Sequence, residues 1–272
     1  MVEADRKKIY VFGSEGLTED SKDPHYNEAW RIRNYLDKYA IRVDSPEQAD
    51  LILVIGGDGK MLEAIRILWE INKPFCGLNF GHVGFLLNEP EHPTNVLNEV
   101  SDDNVQIIET RLLTAELIDE DGDSIEKVHA FNDIVIERTE PQAAKIKVML
   151  DNEDILKPLI CDGIIIATPP GSTGHNAAAG GNILPITSNN VVMTGISPAL
   201  FHRWKSSILP DTSMIELIPE ERHKRPVRLI ADGQKLKDCH KVRVSISDQT
   251  VKLIFVNSQD FRSKVLRYQF NL

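Results

Sequence analysis

With 272 residues the chain is long enough to bury a sizeable core and to form two modest domains. Its 41 acidic and 31 basic side chains leave a formal net charge of -10, which argues against broad binding to nucleic acid or to an anionic membrane, so an anionic ligand must find local donors. Cys76, Cys161 and Cys239 are widely separated, lack metal-ligand spacing and sit in or beside apolar segments, as reduced core residues do. The first strand-like run follows charged residues with no apolar leader, and no later run is long enough to span a bilayer, so a soluble cytoplasmic protein is expected.

Ile9 to Gly13 reads as a short strand closed by a glycine turn, and Tyr26 to Tyr39 as an amphipathic helix carrying Ala29, Trp30, Ile32, Tyr35 and Leu36. Leu51 to Ile55 is an apolar run with no polar partner, the mark of a buried strand, and it ends at Gly56-Gly57-Asp58-Gly59-Lys60. Three glycines let the backbone turn sharply and approach a bulky anion, and Met61 to Glu70 has helical spacing, so the turn opens a helix N-terminus. Among donors suited to phosphate, the charge of Asp58 is useful only if it handles a proton or organises magnesium. Taken alone, the commoner reading of these residues is a Gly-Asp-Gly turn.

Pro74 to Phe80 is a further apolar stretch and leads into Gly81-His82-Val83-Gly84-Phe85-Leu86-Leu87. Alternation of strand and helix to about residue 88 predicts an α/β domain with a mainly parallel sheet. Pro90, Pro93 and the helix-like Asn95 to Val100 mark a boundary, after which strand follows strand: Leu112 to Ile118, Lys127 to Arg138, Lys145 to Leu150, Gly163 to Thr168, Val227 to Ala231, Lys241 to Ser247 and Val251 to Val256. Asp119 to Asp123 reads as an acidic hairpin turn whose spacing does not fit a calcium loop. Phe261 to Phe270 has helical spacing and is expected to pack back on the first domain. The expected division is an α/β domain over 1–104 completed by the tail 257–272, and a β-rich domain over 105–256.

Cys161 to Gly181 repeats the idea of the first motif: a strand leads into a Pro/Gly/Ser/Thr turn and a small-residue helix. The hydroxyls of Ser172 and Thr173, with free amides at the turn, suit ribose or phosphate oxygens, and a capped tight turn is the equal alternative. Asn132 and Asp133 fall in an otherwise apolar strand, Phe131 to Ile136, where adjacent side chains point to opposite faces. At least one therefore needs a partner, ribose hydroxyls at a sheet rim being one resolution and a bulge or edge strand the other. Asp232-Gly233-Gln234 is most simply a hairpin turn, and His202 to Lys205 offers cations that are more often merely solvated. No Ser/His/Asp order, Cys/His pairing, full Walker pattern or dinucleotide fingerprint is visible, and His82 and His175 read as structural.

Taken together and in this order, these segments resemble the NAD kinase family, within the wider group that includes diacylglycerol and sphingosine kinases and phosphofructokinases. Gly56 to Gly59 match its first motif and Gly77 to Leu86 its glycine-rich strand-turn. Asn132-Asp133 match its Asn-Glu pair, and Asp162 to Gly181 its long Asp-Gly…Thr-Pro…Gly-Ser-Thr…Gly-Gly signature. The resemblance implies that Asp58 activates the adenosine-ribose 2′-hydroxyl of NAD for attack on the γ-phosphoryl group of ATP, or of polyphosphate, with magnesium accompanying the donor and no metal held by a protein cage. By the same resemblance Gly56, Gly57, Gly59 and Lys60 hold phosphate, and Asp58, Gly59, Phe85, Asn132, Asp133, Asp162, Thr173, Gly174, His175, Ala178, Asp232 and Gln234 hold NAD.

The chain departs from the family pattern at several positions. Lys60 replaces a hydroxyl or amide residue, Asp133 is one methylene shorter than the family glutamate, Pro170 and Ala178 stand where hydroxyls are common, and Gly174-His175 replaces Ala-Tyr. These changes motivate one alternative, a sensor of the same fold that binds NAD or NADP without turnover, and the related kinases supply another, a kinase acting on another hydroxyl acceptor. A homodimer or homotetramer is the assembly the resemblance implies, with no nucleic-acid or membrane partner.

Overall fold

Leu51 to Ile55 lacks polar side chains because both of its faces are covered: each residue of the run is buried. The structure, a computed structural model, describes residues 6–13, 32, 36–38, 40–81, 84–89, 93–199, 204–256 and 264. In chain order the elements are β1 (Lys8–Phe12), β2 (Ile41–Arg42), β3 (Leu51–Gly56), α1 (Asp58–Leu68), β4 (Phe75–Asn79), α2 (Pro93–Ser101), β5 (Val105–Ile118), β6 (Ser124–Ala130), β7 (Asp133–Arg138), β8 (Ala144–Leu150) and β9 (Glu153–Cys161). They continue with β10 (Gly163–Ala167), α3 (His175–Ala178), β11 (Asn190–Ile196), β12 (Ser206–Pro210), β13 (Ile215–Pro219), β14 (Val227–Ala231), β15 (Gln234–Lys235) and β16 (Lys241–Val256). Two compact units result, residues 1–110 with 250–272 and residues 111–249, so β5 and β16 each run from one unit into the other.

The first unit is α/β. Its strands lie in the order β2-β1-β3-β4-β16 and every pair is parallel. Met61, Ala64, Ile65 and Leu68, spaced three, four and seven residues from the first, form the buried stripe of α1. The helix begins at Asp58, with Gly57 as N-cap, and tightens after Leu68 into a 3-10 turn that Asn72 ends in the left-handed conformation. Asn88 is fully buried and fastens the last strand: its Oδ1 accepts the Val256 amide at 2.9 Å, and its Nδ2 donates to the carbonyls of Ile254 at 3.0 Å and Gly77 at 3.1 Å.

The second unit is β-rich and antiparallel. One sheet has the order β12-β11-β10-β7-β14-β15, while β13 pairs with β8 and with the N-terminal part of β16, and β8 pairs with β9. Ile134, Ile136, Ile164 and Ile166 from the first sheet share a core with Ile146, Val148, Leu217 and Val244 from the second. On the other face of β10, Ile165 and Ala167 pack with Val135, Val192 and Leu184, which explains why this strand too is apolar throughout.

Three expectations need correction. Lys127 to Arg138 is not one strand: it breaks at Phe131-Asn132, between β6 and β7, so Asn132 is outside the ladder and the opposite-face argument does not apply to it. Lys241 to Val256 is one strand where the sequence suggests two, because Asp248-Gln249 is an exposed stretch of β16 rather than a turn. The small-residue helix after the Pro/Gly/Ser/Thr turn is only four residues long. Most of the Tyr26 to Tyr39 helix and all of the Phe261 to Phe270 helix except Lys264 lie outside the described residues. Asp119 to Asp123 does form the β5–β6 hairpin connection, the Asp119 carboxylate accepting the amides of Asp121 and Asp123. No helix among the described residues is long and apolar enough to cross a membrane.

Candidate active site

In the first unit the chemistry gathers at the C-terminal ends of β3 and β4. Asp58 is the first residue of α1, and its carboxylate is held by two backbone amides: Leu86 donates to Oδ1 at 2.9 Å and Phe85 to Oδ2 at 3.1 Å. The two glycine turns therefore form one piece, and the Cα of Gly57 lies 3.0 Å from where a Cβ on Gly81 would stand. Gly56 ends β3, Gly59 is in the first turn of α1 with open space beside it, and Phe85, expected to line a ligand pocket, reaches Asp58 through its amide while its ring is buried. Gly84 suits the loop as glycine: its φ is +67°, a strained value for any other residue, and a Cβ there would fall 2.2 Å from the Asn79 side-chain Nδ2. Lys60 extends beside this turn, its ammonium 2.7 Å from Glu63 Oε2 and 5.8 Å from the centroid of the Phe12 ring. That contact holds the Glu63 carboxyl below the usual carboxylate range.

In the second unit Asp232 organises the break between β6 and β7. Its carboxylate accepts three consecutive amides, those of Phe131 at 2.6 Å, Asn132 at 2.7 Å and Asp133 at 3.1 Å, while Asp232 and Gly233, both at positive φ, make the two-residue turn between β14 and β15. Thr168, buried just after β10, completes the arrangement: its hydroxyl donates to the Phe131 carbonyl at 2.6 Å and accepts the Gly171 amide at 3.1 Å. The turn then passes so close to Asn132 that a Cβ on Gly171 would stand 2.1 Å from the Asn132 carbonyl oxygen. Two polar groups are left with unmet demand. Asn132 Oδ1 is buried without a hydrogen-bond partner among the described residues, and the Asp133 carboxyl is pushed up to about 7 by burial and by the neighbouring Asp232 charge.

The turn hydroxyls are spent internally. Ser172 is fully buried, donates to the Pro169 carbonyl and accepts the Leu184 amide, so of the two readings the capped tight turn is the one that holds for it; Thr173 donates to the Pro170 carbonyl. Gly174, His175 and Ala178 form an exposed face beside them, and Gln234 is exposed on β15. Asp162 is not brought to this cluster. It precedes β10 while Thr168 follows it, a separation of roughly 20 Å along an extended strand, and its carboxylate pairs with Arg138 at 2.5 Å. Sequence reasoning missed the work of Thr168 and of Asn176, whose amide donates to the Ser172 and Asn182 carbonyls and whose oxygen accepts the Thr194 hydroxyl. Buried polar residues inside a small-residue motif were the available signal.

Residues 5–105 match the N-terminal domain of ATP-NAD kinases and residues 131–257 the C-terminal domain. The NAD kinase of Rickettsia bellii is 35% identical over 225 residues, which cover 82% of this chain and 87% of the relative. The chain belongs to the ATP-NAD kinase family. Two solved structures of that group share its fold. Yeast NADH kinase complexed with NADH aligns with a TM-score of 0.80 at 21% identity, over 97% of this chain and 88% of that one. An NAD kinase from Archaeoglobus fulgidus in complex with ATP aligns with a TM-score of 0.71 at 23% identity, over 95% and 96% of the two chains. Among the polar atoms of the Gly56–Gly59 turn and the Asn132–Asp133 corner, Asn132 Oδ1 is the one left buried without a hydrogen-bond partner among the described residues.

Proposed function

We propose that the protein transfers the γ-phosphoryl group of ATP to the adenosine-ribose 2′-hydroxyl of NAD, with Asp58 as the base. The observation that carries this reading is the Asp58 carboxylate fixed by two amides at the mouth of a glycine turn, since a base has to be held in place before it can act. In this mechanism Asp58 accepts the hydroxyl proton as the oxygen attacks the γ-phosphorus and the bond to the β–γ bridging oxygen breaks to release ADP, the amides at the start of α1 and the Lys60 ammonium hold donor phosphates, and Asn132 Oδ1 and Asp133 accept hydrogen bonds from ribose hydroxyls. Magnesium enters with ATP as part of the substrate and neutralises phosphate charge.

Family membership favours turnover over a sensor that only binds. The decisive assay is NADP formation from NAD and magnesium-ATP by wild type and by Asp58→Asn, with NADH as a second acceptor and polyphosphate as a second donor. Wild type alone should form product, Asp58→Asn losing roughly 10²- to 10⁴-fold. Saturable dinucleotide binding with no product from either acceptor would leave the sensor standing instead. We also propose a cytoplasmic homodimer or homotetramer, the assembly being tested by light scattering of purified protein.

A further inference from the structure

Lys264 is 6% exposed, an unusual place for an ammonium, and it binds the backbone of one loop. Its Nζ donates to the carbonyl oxygen of Gly84 at 2.9 Å and also to that of Leu87, and it lies 5.8 Å from the centroid of the Phe255 ring. The Gly84 carbonyl and the Phe85 N–H belong to the same planar peptide unit and point in opposite directions along it. One end of that unit is thus held by Lys264 and the other by Asp58, whose Oδ2 accepts the Phe85 amide. Leu86, between the two anchored carbonyls, supplies the second amide to Asp58, and the loop is closed on itself by the Leu87 amide donating to the Gly84 carbonyl at 3.3 Å.

We propose that Lys264 is a positioning residue for Asp58, acting through the backbone of residues 84–87; the inference rests on Asp58 being the base. A cation on a carbonyl polarises the peptide and makes its N–H a stronger donor, so Lys264 orients the loop that carries both amides and strengthens the Phe85 amide's bond to the carboxylate. Burying an ammonium is costly, and an apolar side chain of similar length would fill the same space more cheaply. What the charge adds to the loop is its two bonds to the Gly84 and Leu87 carbonyls.

The test is Lys264→Met, which keeps the length and removes the charge, beside Val100→Ala as a core truncation in the same unit. Steady-state kinetics and amide hydrogen exchange are both read. The expected result is a kcat for NADP formation lowered about 10- to 100-fold, the loss a misplacement of about 1 Å can bring, with KM for NAD and ATP within about twofold. Exchange at the Phe85 and Leu86 amides should be about tenfold faster, and Val100→Ala should keep its kcat even where its Tm falls further. A Lys264→Met enzyme with wild-type kcat, or with unchanged exchange at those two amides, would overturn the proposal. Should wild type form no NADP at all, the reading of Asp58 as base falls and takes the catalytic half with it, while the exchange measurement still decides whether Lys264 fixes the loop.

Discussion

Asp232 lies against Asp133: one of its carboxylate oxygens accepts the Asp133 amide at 3.1 Å, and its charge adds to burial in pushing the Asp133 carboxyl up to about 7. A ligand hydroxyl that donates to Asp133 prefers the ionised form, so NAD binding should release a proton near neutrality. Affinity for NAD is expected to tighten as pH rises from about 6 to 8 and to level off above that range. Titration calorimetry in buffers of different ionisation enthalpy measures the released proton directly. Asp133→Asn should abolish both the release and the slope, and a slope that survives in this variant would remove Asp133 from the ligand contacts.

The same group sets a pH dependence of stability in the ligand-free protein. Its pKa rises on folding from 3.8 to about 7, so between these values the folded state binds more protons than the unfolded one. The stabilisation is complete below about pH 4 and is lost as pH climbs through 7, by up to roughly 4 kcal/mol for this group alone. Urea unfolding of wild type and Asp133→Asn at pH 5 and pH 8 should show a smaller difference between the two pH values in the variant.

Lys60 and Glu63 compete with the phosphate donor for each other. Their contact leaves both side chains 40% exposed, where an ion pair is weak and screened by salt. Glu63→Gln frees the ammonium and should lower KM for ATP about threefold, whereas Lys60→Thr should raise it about tenfold at low salt and less at high salt. KM for NAD serves as the control. A KM for ATP indifferent to both changes would assign Lys60 to the solvated surface.

Residue types that act locally were legible in the sequence, and those that act across the chain were not. Leu51 to Gly59 announced a buried strand, a turn and a helix start because each cue lies within a few residues of its effect. Asn132 was misplaced because the carboxylate that pulls it out of the ladder is Asp232, a hundred residues later. Glu153–Cys161 went unrecognised as a strand since Lys157-Pro158 and the acidic start hide its alternation, and Lys264 carries no signal at all until the fold buries it. Ser172 shows what the motif left open: of a ligand hydroxyl and a turn cap, equally readable in the sequence, the fold makes it the cap.

Asn88→Ala should show what one buried amide contributes to the first unit. The truncation strips the Val256 amide and the Ile254 carbonyl of their partner in a site without water access, which should cost roughly 2–4 kcal/mol. Urea unfolding monitored by circular dichroism checks this. A loss below about 1 kcal/mol would mean that the strand end is held by its other contacts.

Gly59 and Gly171 separate what the fold requires from what the ligand requires. A Cβ on Gly171 would stand 2.1 Å from the Asn132 carbonyl oxygen and 2.5 Å from its carbon, both backbone atoms that cannot swing aside. Gly171→Ala must therefore push the turn off the Asn132–Asp133 corner, costing about 1–3 kcal/mol of stability and raising KM for NAD. A Cβ on Gly59 meets nothing within 4 Å, and the position is helical, so Gly59→Ala should leave stability unchanged or raise it by up to about 1 kcal/mol. If phosphate approaches the amides of this turn, that added methyl intrudes on the ligand, and activity should fall while Tm does not. A fully active Gly59→Ala enzyme would move the donor phosphates away from this stretch of backbone and leave Asp58 to act without them.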